Sequence, residues 1–450
     1  MKKFLCVVVS ALLCVCAMGC VGTFDDGSGF KDFEKYESRP RSFTFSYYAS
    51  GYGSDWVAAV AKDYMDNVNQ NVYVNPKTSY DNNQARENIR QGIGYDLYQL
   101  EVDMFRNSDY VADLSALYEK EVYGEPGVKV KDKIAPRWVD YYNEGGKWYQ
   151  LPQTTCTGWN WVYNKTLLDD KLGEGQYTLP RTTDEFFEFG DMLIEKGVFL
   201  TAFSGDTTNG ADYTPYAYQA WFAQMMGAEA YDHFFDGEYT TDGGHTWTFA
   251  SESAAELLAT SATARTEAYR VAEKLATAGN HYMHSSSPSM QYTNVNNVVY
   301  GGKMFATTVA PFAFHYTGAW LETEVAPAIE RGTITKKDVR AMKMPVVSKI
   351  TERLTTVNDD DTLRAVIDYV DGTTSTKPAG VSDEDITVVA EARGMVAELI
   401  CRSFVVSKNA KNKDDILDFL AYLCSDRAQK IAAQATQGFN VLPYGYTPTD

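Results

Sequence analysis

Glu101 and Asp103 are acids two residues apart, and on a strand they would share one side. Their side chains would then sit about 7 Å apart, a spacing that carboxylate pairs in glycoside hydrolysis also use. A second group lies in Lys147–Lys165, which reads K-W-Y-Q-L-P-Q-T-T-C-T-G-W-N-W-V-Y-N-K. Strand alternation puts Thr155, Thr157, Trp159 and Trp161 on one side of it. Hydroxyls beside indoles suit the hydroxyls and C–H face of a sugar as well as they suit a core. Tyr47 and Tyr48 must point opposite ways on their strand, so one of the two is expected to reach a ligand.

Other spacings carry less chemistry. His281 and His284 lack a third ligand for a metal. Asn358 to Asp361 (N-D-D-D) lacks the Gly and distal Glu of a calcium loop. P-loop, nucleophile-elbow and HExxH patterns are absent from the sequence. Thr240 to Trp247 (T-T-D-G-G-H-T-W) has the Asp-box spacing of sialidase blades, but a propeller would need several copies. It reads as a structural hairpin turning at Asp242-Gly243. No cofactor and no metal are expected.

The elements that must position these residues begin at Phe43–Tyr48, a strand. A loop through Ser50 follows, then a helix capped by Ser54 or Asp55 whose apolar positions recur with a 3.6-residue period. Val72–Val74 is a second strand, Asp81-Asn82-Asn83 opens a second helix, and Tyr95–Val102 is a third strand. Strand-helix-strand-helix-strand predicts an open parallel sheet, whose ligands sit at the carboxyl ends of the strands. Tyr47, Tyr48, Ser50, Asn82, Asn83, Glu101 and Asp103 are thereby gathered at one rim. Trp148–Leu151 reads as a short strand ended by Pro152, and Thr154–Tyr163 as an extended run. Further helices are expected from Thr182 or Thr183, over Tyr216–Met226, Ala254–Ala278 and Asp414–Leu423, and at Ala428–Ala435. Val298–Val309 reads as a turn into a strand, Ala310–Tyr316 as an aromatic loop, Asn358–Ser382 as a polar insertion with one helix, and Phe404–Ser407 as a strand.

Composition narrows the partners. The chain has 450 residues, enough for two lobes with cores, and 14% aromatics. A net charge of -19 disfavours nucleic acid as a partner. Lys2 and Lys3, an apolar run from Phe4 to Val15, and Ala17-Met18-Gly19-Cys20 resemble a lipoprotein signal with Cys20 as the acylated residue. Four of the seven cysteines lie in that segment. The remaining Cys156, Cys401 and Cys424 have no CxxC spacing and read as buried thiols.

Taken together the series resembles the family 1 extracellular solute-binding proteins of ABC importers, the group that includes the maltose-binding protein. The matching pieces are the lipobox, the first strand-helix unit, Tyr95-Asp96-Leu97, Lys147–Leu168, Pro180–Leu193, Gly302-Lys303-Met304 and Val405–Leu423. Gly-Lys-Trp-Tyr-Gln-Leu-Pro followed by Val-Tyr-Asn-Lys is the most specific of them. The resemblance implies an α/β fold of the type II periplasmic-binding-protein kind: two lobes with open mixed sheets flanked by helices, a ligand cleft between them, and hinge closure. It implies a signal peptide over 1–19 and a lipidated tether over 20–41. Lobe 1 is expected over 42–155 plus about 346–425, and lobe 2 over about 156–345 plus 426–450. Asp103 falls where the family places a cleft carboxylate, Thr157 where some members carry an acid, and Phe312 or Phe314 where a sugar-stacking Trp often stands. The implied partners are a carbohydrate, the permease subunits and the membrane through the lipid, for a monomer outside the cytoplasm. A lipoprotein glycoside hydrolase using Glu101 and Asp103, and a binding protein for a peptide or polyamine, remain open at this point.

Overall fold

The computed structural model describes residues 30–48, 53–79, 82–101, 105, 109–155, 160–206, 214–236, 238–240, 246–248, 261–301, 303–304, 307–318, 320–395, 400–436 and 442–446. The strands in chain order are β1 (Arg41–Tyr48), β2 (Val72–Ser79), β3 (Leu97–Glu101) and β4 (Leu151–Thr155), then β5 (Asn160–Asn164) and β6 (Phe199–Thr201). A hairpin follows, β7 (Glu238–Thr240) with β8 (Thr246–Thr248), and a shorter pair, β9 (Lys303–Met304) with β10 (Thr307–Thr308). β11 (Phe312–Thr317), β12 (Val339–Met342) and β13 (Ile400–Val406) complete the set among the described residues.

Two compact units result: Met1–Thr155 with Ile400–Asp450, and Cys156–Leu399. Each holds an open mixed sheet flanked by helices, the α/β class expected from the sequence.

The first unit's sheet has the order β2-β1-β3-β13-β4. β1 runs parallel to both β2 and β3, while β13 is antiparallel to β3 and β4. Helix Asp55–Asp63 buries Trp56, Val57, Val60 and Ala61. Phe43 and Phe45 of β1 pack against Phe419 of helix Lys413–Leu423, which ties β1 into the core. β4 is an edge strand, which is where a sheet tolerates Pro152. The sequence ended a strand at this proline; the strand instead starts at Leu151 and runs through it.

The second unit's sheet has the order β12-β5-β11-β6, with β11 parallel to β6 and antiparallel to β5. All six residues of β11 are buried. Phe314 packs against Phe186 and Phe189 of helix Thr183–Glu195. Phe312 belongs to the cluster of Val295, Val298 and Val299 on helix Tyr292–Gly301. A strand covered on both faces shows no polar alternation, so the aromatic loop expected here is a core strand. Val298–Tyr300 is likewise helical rather than a turn into a strand, since Val295, Val298 and Val299 recur at helical spacing and bury one face.

Two segments lie in the other unit from the one expected. Residues 346–399, assigned by sequence to lobe 1, belong to the second unit. The Gln224 side chain accepts from Val347 N–H at 3.0 Å and donates to the Ala392 carbonyl at 3.1 Å. Arg393 donates to the Met344 carbonyl at 2.7 Å and pairs with Asp371 at 2.8 Å. Residues 426–450, assigned to lobe 2, belong to the first unit. There the Tyr444 hydroxyl donates to the Pro152 carbonyl at 2.5 Å, and Arg427 pairs with Asp63 at 2.7 Å.

Candidate functional site

In the first unit the chain places β2 on one side of β1 and β3 on the other. The strand order therefore reverses direction between β1 and β3, and open α/β sheets bind ligands at the carboxyl ends of such a pair. Those ends are Tyr48 and Glu101. The register pairing β1 with β3 covers Phe45–Leu97 and Ser46–Tyr98. Beyond it the Tyr48 N–H donates to the side-chain oxygen of Gln99 at 2.9 Å. A side chain takes the bond that a ladder would otherwise make.

Arg402 completes this rim. It stands opposite Glu101 in register on β13, is 8% exposed, and carries its guanidinium 4.8 Å from the centre of the Tyr48 ring. Its Nη1 donates to the Tyr48 carbonyl at 3.3 Å. A planar cation on an aromatic face is favourable and orients both groups. Thr155 ends β4 and pairs with Ile400, at the same end of the sheet. Sequence reasoning missed Arg402, whose signal was a charged residue inside a mostly apolar strand.

Other expectations fare differently. Tyr47 points into the core: it is 1% exposed, its ring meets Phe30 and Phe45, and its hydroxyl lies 2.7 Å from that of Thr78. The ligand role given to it is corrected, because alternation along β1 leaves only Tyr48 half-buried at the rim. Asn82 is half-buried and Asn83 exposed at the start of helix Asn82–Gln91, which directly follows β2. Phe312 and Phe314 are 1% and 0% exposed, so neither is a stacking platform; both are core. Ser50, Asp103, Thr157, Trp159 and Cys20 lie outside the described residues.

In the second unit the parallel strands β6 and β11 end at Thr201 and Thr317. A small cavity of about 20 Å³ lies there, lined among others by Trp161, Thr201, Phe203, Ser204, Tyr292 and Tyr316. Trp161 is 2% exposed, and its indole N–H has no hydrogen-bond partner among the described residues. The loop after β6 is held by the segment around Ser287, whose hydroxyl accepts from Phe203 N–H at 3.2 Å. Gly205 makes this approach possible, since a Cβ there would lie 2.5 Å from Pro288 Cα. Just past β11, the Trp320 ring closes over Gly318, where a Cβ would lie 2.0 Å from the indole. Trp320 is the aromatic residue after the carboxyl end of β11 that reading Phe312–Phe314 as a loop obscured.

In this unit a chain of polar groups joins His315, Asn296 and Glu324. His315 is held neutral by burial, its pKa pushed down to about 3, and its Nε2 lies 2.9 Å from the Asn296 oxygen. Asn296 donates to Glu324 at 2.6 Å, and burial outweighs that bond to raise the Glu324 carboxyl to about 8. His284 accepts the Ser286 N–H at 3.0 Å through Nδ1. Among the described residues no group of three or more His, Cys, Asp or Glu could hold a metal, and no helix is long and apolar enough to cross a membrane. Cys424 is a buried free thiol.

The family model described as bacterial extracellular solute-binding protein matches residues 49–430. A search of curated protein sequences gives no match. Among solved structures, the GacH receptor of Streptomyces glaucescens, studied unliganded and with acarbose, is 17% identical with a TM-score of 0.52, over 90% of this chain and 80% of that one. A chitin oligosaccharide binding protein is 13% identical with a TM-score of 0.56, over 90% and 82%. A solute-binding protein of an ABC transporter from Thermotoga lettingae, bound with α-D-tagatose, is 14% identical with a TM-score of 0.53, over 90% and 82%. At these identities the likeness is one of fold, and it reproduces the two-lobe architecture of solute-binding proteins. With the family model covering most of its length, the chain belongs to the bacterial extracellular solute-binding protein family.

Proposed function

We propose that the protein captures a carbohydrate, in particular an oligosaccharide, and delivers it to the permease of an ABC importer. The solute is bound reversibly and without bond chemistry, by hinge closure, on a chain anchored to the membrane through acylated Cys20. The observation that carries this reading is the rim at the end of β1 and β3 in a chain of this family. There Arg402 fixes an aromatic ring beside polar strand ends, the combination that a sugar's hydroxyls and C–H face require. The sugar ligands named for GacH, the chitin oligosaccharide binding protein and the Thermotoga protein support the same class. Ligand contacts are proposed for Tyr48, Ser50, Asn82, Asn83, Glu101, Asp103, Thr155, Thr157 and Trp159.

Isothermal calorimetry of the mature protein against a glycan panel tests this. Saturable binding of at least one glycan, recovered intact afterwards, is expected. Failure across the panel, with tight binding of a peptide or polyamine, would refute the carbohydrate assignment. A glycan returned cleaved would refute binding without chemistry and revive Glu101 and Asp103 as a hydrolytic pair.

A further inference from the structure

β4 and β13 are the strands by which the chain leaves and re-enters the first unit, at Thr155 and Ile400. Gln153 lies on β4 two residues before that exit and is 1% exposed. Gln99, 2% exposed, lies on β3, with β13 between the two strands. Its amide nitrogen reaches across β13 to donate to the Gln153 side-chain oxygen at 2.5 Å. Its oxygen accepts from the Tyr48 N–H.

The orientation of this amide follows from chemistry. The backbone N–H of Tyr48 can only donate, so the Gln99 atom facing it is the oxygen, and the nitrogen faces Gln153. Both ends of the connection attach where the backbone ladder is interrupted. The β1–β3 register ends at Ser46–Tyr98, and the β13–β4 register shifts between Ile400 and Arg402 and again between Arg402 and Ser403, beside Gln153. Two buried glutamines add no packing that apolar residues of similar size would not supply, and each must be hydrogen-bonded to be tolerated. What an apolar pair would lack is a directional link, atom to atom, between one strand end and another strand two places away.

We propose that Gln99 is a positioning residue that couples Tyr48, at the solute rim, to Gln153 on the outgoing strand β4. A shift of the Tyr48 peptide on solute contact then pulls on β4 through two hydrogen bonds. By reciprocity, a change in β4 alters how Tyr48 is presented. The coupling rests on the solute-capture reading for its purpose, and its existence can be measured with no solute present.

The test is amide hydrogen exchange on the unliganded full chain, comparing wild type with Gln153→Met and, as a smaller change, Gln153→Asn. Gln153 does not bond to Tyr48, so a purely local role leaves the Tyr48 amide as it is. With the connection intact in wild type, both variants should speed Tyr48 exchange by about fivefold or more, because Gln99 loses its anchor. The Phe45 amide and those of helix Lys413–Leu423 should stay within about twofold, which separates the effect from general loosening. Tyr48 exchange within about twofold of wild type in both variants overturns the proposal, as does a uniform rise across the unit. Absence of glycan binding would instead sink the solute-capture reading and leave these rates unaffected.

Discussion

Asp385→Asn asks whether residues 346–399 are structurally part of the second unit. Asp385 sits in the first turn of helix Asp383–Gly394 and is 2% exposed. One carboxylate oxygen accepts the Thr355 N–H at 3.0 Å; the other accepts the Thr356 N–H at 2.7 Å and the Thr356 hydroxyl at 2.5 Å. Burial opposes the charge, but these bonds outweigh it and hold the carboxyl below its usual range. Asparagine keeps the shape and exchanges one oxygen for a donor, which must then face a backbone N–H whichever way the amide turns. Hydrogen bonds to a charged acceptor contribute about 1.5–3 kcal/mol each, and a stranded N–H costs about 1–3 kcal/mol. Allowing for overlap between these effects, a loss of ~3 kcal/mol is expected.

The assay is urea unfolding read peptide by peptide through hydrogen exchange. With a slope of ~3 kcal/mol per M, the midpoint for helices Thr183–Glu195 and Asp360–Val370 should fall by about 1 M. Helix Lys413–Leu423 in the first unit should not move. Because the folded pKa is depressed, the carboxylate's contribution is present above about pH 4 and disappears as the pH falls through the folded value. Wild type and variant should therefore converge in acid. A midpoint lowered equally in Lys413–Leu423, or a fall of less than about 0.3 M in the second unit, would refute the reasoning.

Two more outcomes are expected. Phe314→Ala should destabilise the second unit by about 3–5 kcal/mol, as removal of a buried aromatic ring does, while calorimetric solute affinity in the folded fraction stays at the wild-type value. A selective loss of affinity would restore the ring to the binding surface. Glu324 has a raised pKa, so the native state binds more protons than the unfolded state between about pH 4.3 and pH 8. Its contribution to stability therefore falls as pH rises through that window. Glu324→Gln keeps an acceptor for Asn296 and should be more stable than wild type at pH 8 by at least about 1 kcal/mol, with the gap closing towards pH 5. Equal urea midpoints at both pH values would contradict the assigned burial.

The parts of the fold written in local patterns were legible. β1, helix Asp55–Asp63, β2, helix Asn82–Gln91 and β3 follow from period-two and period-3.6 runs, and their order alone gathers Tyr48 and Glu101 at one rim. What stayed hidden depends on partners distant in sequence. Gln224 is a polar residue in an apolar helix, and nothing near it tells that it clamps Val347 and Ala392. The polar stretch before Ser382 looks like a solvated insertion because its anchors, Asp385 and Arg393, hold backbone groups rather than bury apolar surface. β11 was unreadable for the opposite reason: with both faces covered it lost the alternation that marks a strand. The carboxyl end of β11, and Trp320 beyond it, became visible only once that strand was in place.

The Tyr444–Pro152 bond also bears on how the protein is made. Its partners are separated by 292 positions, and Arg41 of β1 pairs with Asp415 across 374. The second unit, by contrast, is one unbroken stretch of chain. At roughly 5–20 residues per second of synthesis, the stretch 30–155 waits tens of seconds for β13 and the segments that follow it. Throughout that wait β3 and β4 have no β13 to join them, and Phe43 and Phe45 lack the helix that covers them. Such exposed strand edges and rings are what holding chaperones recognise. The stretch 30–155 is therefore the most aggregation-prone part of this chain during synthesis, and the last few dozen residues set the moment at which that hazard ends.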